Sequence, residues 1–178
     1  MRRFLRRLLP ALLLAGLVGA DEAPAPAERA RLFERDRELI RELVEQGLRL
    51  AEEDDALKRA DCCNGVARHL ADEMRRAADD REPARVAELS AHLHDVLKGG
   101  VAANLTTACA GPAPAASTFE KDLQEVHHHT VTLLQPLEDE LRRLPDGDGR
   151  DDVRQALQAV AQGRAEVEKA IRGRIKER

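Results

Sequence analysis

Apolar residues recur at three- and four-residue steps along most of the chain, the repeat that lines one face of an α-helix. Leu32, Phe33, Leu39, Ile40, Leu43, Val44, Leu48 and Ala51 predict a helix over 27–54, with Asp36 interrupting the stripe. Leu57, Ala60, Cys63, Ala67, Leu70, Met74 and Ala77 predict a second over 55–79. A third opens near residue 82 with Val86, Leu89, Leu93, Val96 and Leu97, and Pro83 suits its first turn, where the missing N–H has no partner anyway. Gly99-Gly100 weakens that helix, while Val101 and Leu105 carry it onward with a kink.

Thr106 to Ala116, with Gly111, Pro112 and Pro114, is the clearest break, and 106–117 is where the body would subdivide. Ser117 and Glu120 have capping-box spacing and start a fourth helix over 118–144. Its stripe is Phe119, Leu123, Val126, Thr130, Leu133, Leu137, Leu141 and Leu144, and Pro136 should bend it. After a turn at 145–149, Val153, Leu157, Val160, Val167 and Ile171 mark a last helix that frays into a basic end.

No segment alternates polar and apolar residues as a strand does. Stripes of this length must be covered, and the short connections at 80–82 and 145–150 make consecutive helices antiparallel. The expected fold is all-α: an antiparallel helical bundle of four to five long helices built from helical hairpins, with coiled-coil-like packing. Leu70-Ala-Asp-Glu-Met-Arg-Arg-Ala-Ala-Asp79 also aligns without gaps on Leu137-Glu-Asp-Glu-Leu-Arg-Arg-Leu-Pro-Asp146. A duplication behind that match would relate two hairpins by a pseudo-twofold.

The first twenty residues obey another logic. Arg2, Arg3, Arg6 and Arg7 precede the apolar run Leu8 to Val18, which closes on Val18-Gly19-Ala20. Basic, apolar, then small residues is the order of a secretory signal peptide cleaved after Ala20. The run is broken by Pro10 and falls short of the roughly 20 residues needed to span a bilayer. We therefore divide the 178 residues into a signal peptide at 1–20, a Pro/Ala linker at 21–27 and one helical domain at 28–176, with no integral membrane span after cleavage. The product would be exported, to the periplasm or beyond the cell.

Cleavage leaves 25 basic residues against 33 acidic ones, so a basic nucleic-acid face is not expected. Phe33 and Phe119 are then the only aromatics, which removes stacking platforms and the usual anchors of small-molecule pockets. No Gly-x-Ser-x-Gly, phosphate-binding glycine loop or His-Glu-x-x-His occurs, and no enzyme is expected. Asp146-Gly-Asp-Gly-Arg-Asp-Asp152 resembles a calcium loop only in composition: Arg150 takes a ligand position and Leu157 stands where a bidentate Glu is required.

Two sets of residues remain as candidate chemistry. Cys62, Cys63 and Cys109 are disulfide candidates in an oxidising compartment, with Cys109 bridging to one of the pair, more readily Cys62 on the flank than Cys63 on the buried stripe. His127, His128, His129 and His92 are metal candidates for zinc or another divalent transition metal. Consecutive helical residues fan out by about 100°, so one histidine of the run would need Cys62, His69 or His92 from another helix. Otherwise the histidines are solvated and pair with acids such as Glu125, Glu88 and Glu73.

Leu50-Ala-Glu-Glu-Asp-Asp-Ala-Leu-Lys-Arg-Ala60, Ala67-Arg-His-Leu-Ala-Asp-Glu73, the acidic turn Asp79-Asp80 and Val86-Ala-Glu-Leu89 carry a resemblance over about residues 48–105. This text resembles bacterial exported helical domains of unknown function that accompany anti-sigma factors. The resemblance implies a structural, sensory or partner-binding role beyond the inner membrane. The expected function is thus a non-catalytic envelope protein that binds a protein partner or another copy of itself. The alternative is a periplasmic metal or redox sensor built on the histidine run and the three cysteines.

Overall fold

A computed structural model of the chain describes residues 26–110, 116–144 and 149–175. Those residues are all-α: α1 (Pro26–Glu52), α2 (Ala56–Asp79), α3 (Pro83–Asp95), a π-helical stretch (Val96–Ala102), α4 (Ala103–Ala110), α5 (Ala116–Arg143) and α6 (Arg150–Ile175). The expected signal peptide, most of the linker and the 145–148 turn lie outside the described residues. The chain divides between residues 37 and 38. The described part of the first unit is the opening of α1, on which Phe33 is exposed. The second unit, residues 38–178, holds the rest of α1 and all the other helices.

Helix ends reflect local chemistry. The Asp55 carboxylate accepts from the backbone N–H groups of Leu57 (2.8 Å) and Lys58 (3.0 Å), satisfying two donors that the first turn of α2 leaves free. At the far end Arg81 takes a left-handed conformation (φ 59°), and the N–H groups of Arg81 and Glu82 donate to the carbonyls of Ala78 and Ala77. That pair of bonds is a Schellman motif, with an arginine where glycine is the usual occupant. Pro83 then opens α3, as its fixed φ favours.

The break expected from Thr106 onward begins later. Thr106 and Thr107 donate their hydroxyls to the carbonyls of Ala102 and Ala103, which holds them inside α4, and the helix runs to Ala110, just before Gly111-Pro112. α5 starts at Ala116, one residue ahead of the expected cap Ser117, whose side chain lies outside the described residues. Pro136 sits inside α5 on its exposed side without ending the helix.

The stripe expected on α2 is the core of the protein: Leu57, Ala60, Cys63, Ala67, Leu70, Met74 and Ala77 are all buried. They meet Val86, Leu89, Leu93 and Leu97 from the third predicted helix, Phe119 to Leu141 from α5, and Val160 and Val167 from α6. α2 and the α3–α4 rod form one hairpin, antiparallel because Cys63 faces Gly100 and Arg59 faces Asn104. α5 and α6 form the other, and the hairpins pack α2 on α5 and α3 on α6.

Both inter-hairpin contacts are parallel. Asp61 meets His129, Asn64 meets Thr130 and Arg75 meets Glu140, while Pro83 meets Gly149 and Leu97 meets Gly163. Only the contacts within each hairpin are antiparallel. Each helix therefore stands beside the counterpart suggested by the internal similarity. A twofold along the bundle would place counterparts diagonally, so the hairpins are stacked side by side and the expected pseudo-twofold is absent.

The expected kink at Gly99-Gly100 takes the form of the π-helical stretch. A Cβ on Gly100 would lie 2.8 Å from the Cys63 sulfur, and one on Gly163 would lie 2.6 Å from Leu97 Cδ1. Both glycines thus serve close helix approach. Asn104 donates to the Gly100 carbonyl (2.9 Å) and accepts from Arg59 Nε (3.2 Å), tying the irregular turn to α2.

Two substitutions test this account. Gly100→Ala should lower unfolding free energy by about 1–3 kcal/mol through overpacking against Cys63, and by less in a Cys63→Ala background, measured by urea denaturation of the four members of the cycle. Equal losses in both backgrounds would contradict the contact. Arg81→Gly should raise stability by about 0.5–1 kcal/mol by relieving the left-handed arginine, seen as an upward shift in thermal midpoint of a few degrees.

Candidate functional site

The adjacent cysteines of α2 point about 100° apart and sit differently: Cys63 is buried against Gly100, Cys62 is half-buried. Both thiols are pushed above the usual cysteine range. For Cys62 the main cause is desolvation, followed by the carboxylates of Asp61 and Glu53; for Cys63 it is desolvation, followed by Cys62 itself. Neither position favours the nucleophilic thiolate.

Cys109 is half-buried on α4. The antiparallel register pairs residue 63 with 100 and 59 with 104, so Cys109 stands nine positions further along its rod, about 13 Å from the level of Cys63. A disulfide needs Cα atoms within about 7 Å. The three cysteines are free thiols, and neither Cys62 nor Cys63 is within bridging reach of Cys109.

The histidine candidates are also separate. His129 Nδ1 lies 2.8 Å from Asp61 Oδ1 across the α2–α5 contact, His128 is exposed, and His127 is half-buried. His92 is exposed on α3, which packs on α2 and α6 and not on the helix carrying the run. His69 faces α1, with Nε2 3.8 Å from Glu42. Among the described residues no three histidine, cysteine or carboxylate side chains converge on a point where a metal ion would sit. His129 and Asp61 satisfy each other, and the donor set does not fit the tetrahedral site zinc requires.

Three shallow grooves run along α2 and α5. Lys58, Asp61, Cys62, Asp122 and Glu125 line one of about 440 Å³; Thr132, Pro136 and Arg143 line another of about 460 Å³; Arg68, Arg75 and His128 line a third of about 420 Å³. No aromatic residue lines any of them. The buried Asn64 and Glu138 side chains are committed to packing. The Asn64 amide donates to the Val126 carbonyl (3.1 Å) and accepts from Thr130 (2.9 Å). Glu138 holds Arg142 (2.8 Å) and lies 2.9 Å from Arg164, an ion pair without hydrogen-bond alignment.

The feature that remains is a face of α1. Sequence reasoning placed its apolar residues on one covered stripe; the structure splits them. Leu39 and Leu50 pack toward the bundle, whereas Ile40, Val44 and Leu48 are 48%, 57% and 62% exposed. The signal was present in the adjacent pairs Leu39-Ile40 and Leu43-Val44, which make the apolar arc wider than one helix contact can cover. α1 is held on its other side. Arg59 donates to the carbonyls of Leu50 (3.4 Å) and Glu53 (3.2 Å), and Gln46 occupies the space left by Gly65.

Among the described residues no helix is long and apolar enough to cross a membrane. Compared with protein-family models, curated proteins and solved structures, the chain finds no match.

The raised thiols make a measurable prediction. At pH 7.5 iodoacetamide should modify Cys62 and Cys63 at least ~10-fold more slowly in the native protein than in urea, by peptide mapping. Because folding favours the neutral thiol, this stabilisation is present below the pH at which an unfolded cysteine ionises. It is lost as pH rises through the folded value. The urea midpoint should therefore fall as pH rises from the usual cysteine range toward the raised folded value, and fall less in Cys63→Ala.

Proposed function

We propose that this chain is an exported, non-catalytic helical protein of the bacterial envelope that works by presenting α1 to a protein partner. The observation that carries the reading is the open row Ile40, Val44 and Leu48: among the described residues the exposed large apolar side chains, these three and Phe33, all lie on α1. Apolar side chains aligned on one exposed helix face are the surface that a helix or groove of another protein covers. Export is supported by the basic, apolar and small-residue order of positions 1–20, and an envelope role by the resemblance over residues 48–105.

A photo-crosslinking amino acid at position 44 or 48, expressed in the native cell, tests docking. Discrete adducts are expected there and not from the same probe at Arg154, an exposed position on α6. Equal labelling at all three positions, or none at 44 and 48, would sink the reading. Mass spectrometry of the same material should find a mature chain beginning at Asp21.

A further inference from the structure

We propose that α1 is a hinged strap that leaves the bundle as a unit about residues 53–55, and that Arg59 is the latch coupling its seating to the π-helical stretch. The contacts that define the strap lie within the chain, so it does not depend on what covers the outer row Ile40, Val44 and Leu48.

Burial sets α1 apart. Among its described side chains none is buried, whereas α2, α3, α4, α5 and α6 each bury apolar residues wholly. Leu39 and Leu50 are only partly covered where they meet the core. A helix held by partial apolar contact lies at the low end of local stability and opens before the rest of the fold. Residues 53–55 are non-helical, and the Asp55 carboxylate caps Leu57 and Lys58 of α2. The hinge therefore sits outside both helices, and α1 can lift without unwinding α2. Lifting adds Leu39 and Leu50 to the apolar surface that α1 offers.

The inner face of α1 runs antiparallel along α2: Glu42 lies near His69, Gln46 near Gly65 and Leu50 near Arg59. His69 Nε2 stands 3.8 Å from Glu42, beyond hydrogen-bond reach. Arg59 binds more firmly. Its Nη1 donates to the carbonyls of Leu50 (3.4 Å) and Glu53 (3.2 Å), placing positive charge at the end of α1 where the helix dipole favours it.

The same guanidinium reaches the irregular turn. Arg59 Nε donates to Asn104 Oδ1 (3.2 Å), and the Asn104 amide donates to the Gly100 carbonyl (2.9 Å) inside the π-helical stretch. A guanidinium is a rigid planar fork, so each engagement orients the other. Seating of α1 and order of the π-helical turn thus share one side chain.

Hydrogen exchange of the full chain, followed by mass spectrometry in increasing urea, tests the strap. Amides of residues 39–52 should share one opening rate and exchange at least ~100-fold faster than those of 154–167, with a smaller urea dependence. Arg59→Lys keeps the charge and loses the fork; it should speed exchange of 39–52 and of 96–104 by at least ~5-fold and leave 154–167 unchanged. Asn104→Ala should speed 39–52 by at least ~3-fold, an effect transmitted through Arg59 and absent in an Arg59→Lys background. Protection of 39–52 equal to that of 154–167, or fraying graded along α1 in place of one rate, would overturn the strap. Parent-like exchange in Arg59→Lys, acceleration in every helix alike, or no response of 39–52 to Asn104→Ala would overturn the latch.

Discussion

Three consecutive residues of α2 address three different neighbours, and the arrangement of the bundle depends on that. Cys63 packs into the space left by Gly100, Asn64 reaches α5, and Gly65 leaves room for Gln46 of α1. A helix turns by about 100° per residue, so adjacent side chains diverge enough to contact separate elements at one level. The small sulfur of Cys63 allows the π-helical stretch to approach, and Asn64 supplies a polar contact that only one register of α5 satisfies. A buried amide of this kind fixes register because any slip leaves its donor and acceptor unpaired.

A second set of pins holds the other hairpin. The Glu138 carboxylate is almost wholly removed from water and is matched by Arg142 from its own helix and Arg164 from α6. Removing either arginine would leave a buried charge short of a partner, which is costly, whereas the intact pair adds little net stability. Its effect is on alignment: α6 must place Arg164 at that level, and the same register brings Gly163 against Leu97. Polar pairing and close glycine contact thus specify the same relative placement of the hairpins.

These commitments leave few residues for chemistry. The thiols are held neutral by burial, His129 is matched by Asp61, and Arg75 along the grooves pairs with Asp72 of its own helix and Glu140 of α5. α1 differs because it is anchored by Arg59 and a few side chains on one face, and its opposite face meets no partner among the described residues. A helix wider in apolar arc than its own contact is the part of this molecule that another surface would complete.

Period and punctuation in the sequence were enough to place the helices. The 3.6-residue repeat locates α2 and α5 within two residues, Pro83 marks the opening of α3, and the buried stripe of α2 reads off directly, because helix geometry and the burial of leucine are local or near-local effects. The π-helical stretch, the parallel stacking of the hairpins, the separation of Cys109 from Cys62 and Cys63, and the open side of α1 were not legible. Each depends on which helix faces which, and a stripe records that a residue is covered but not by what. That choice is made by long-range fits such as Gly100 on Cys63 and Gly163 on Leu97, between residues far apart in sequence, whose meaning appears only once the helices are side by side.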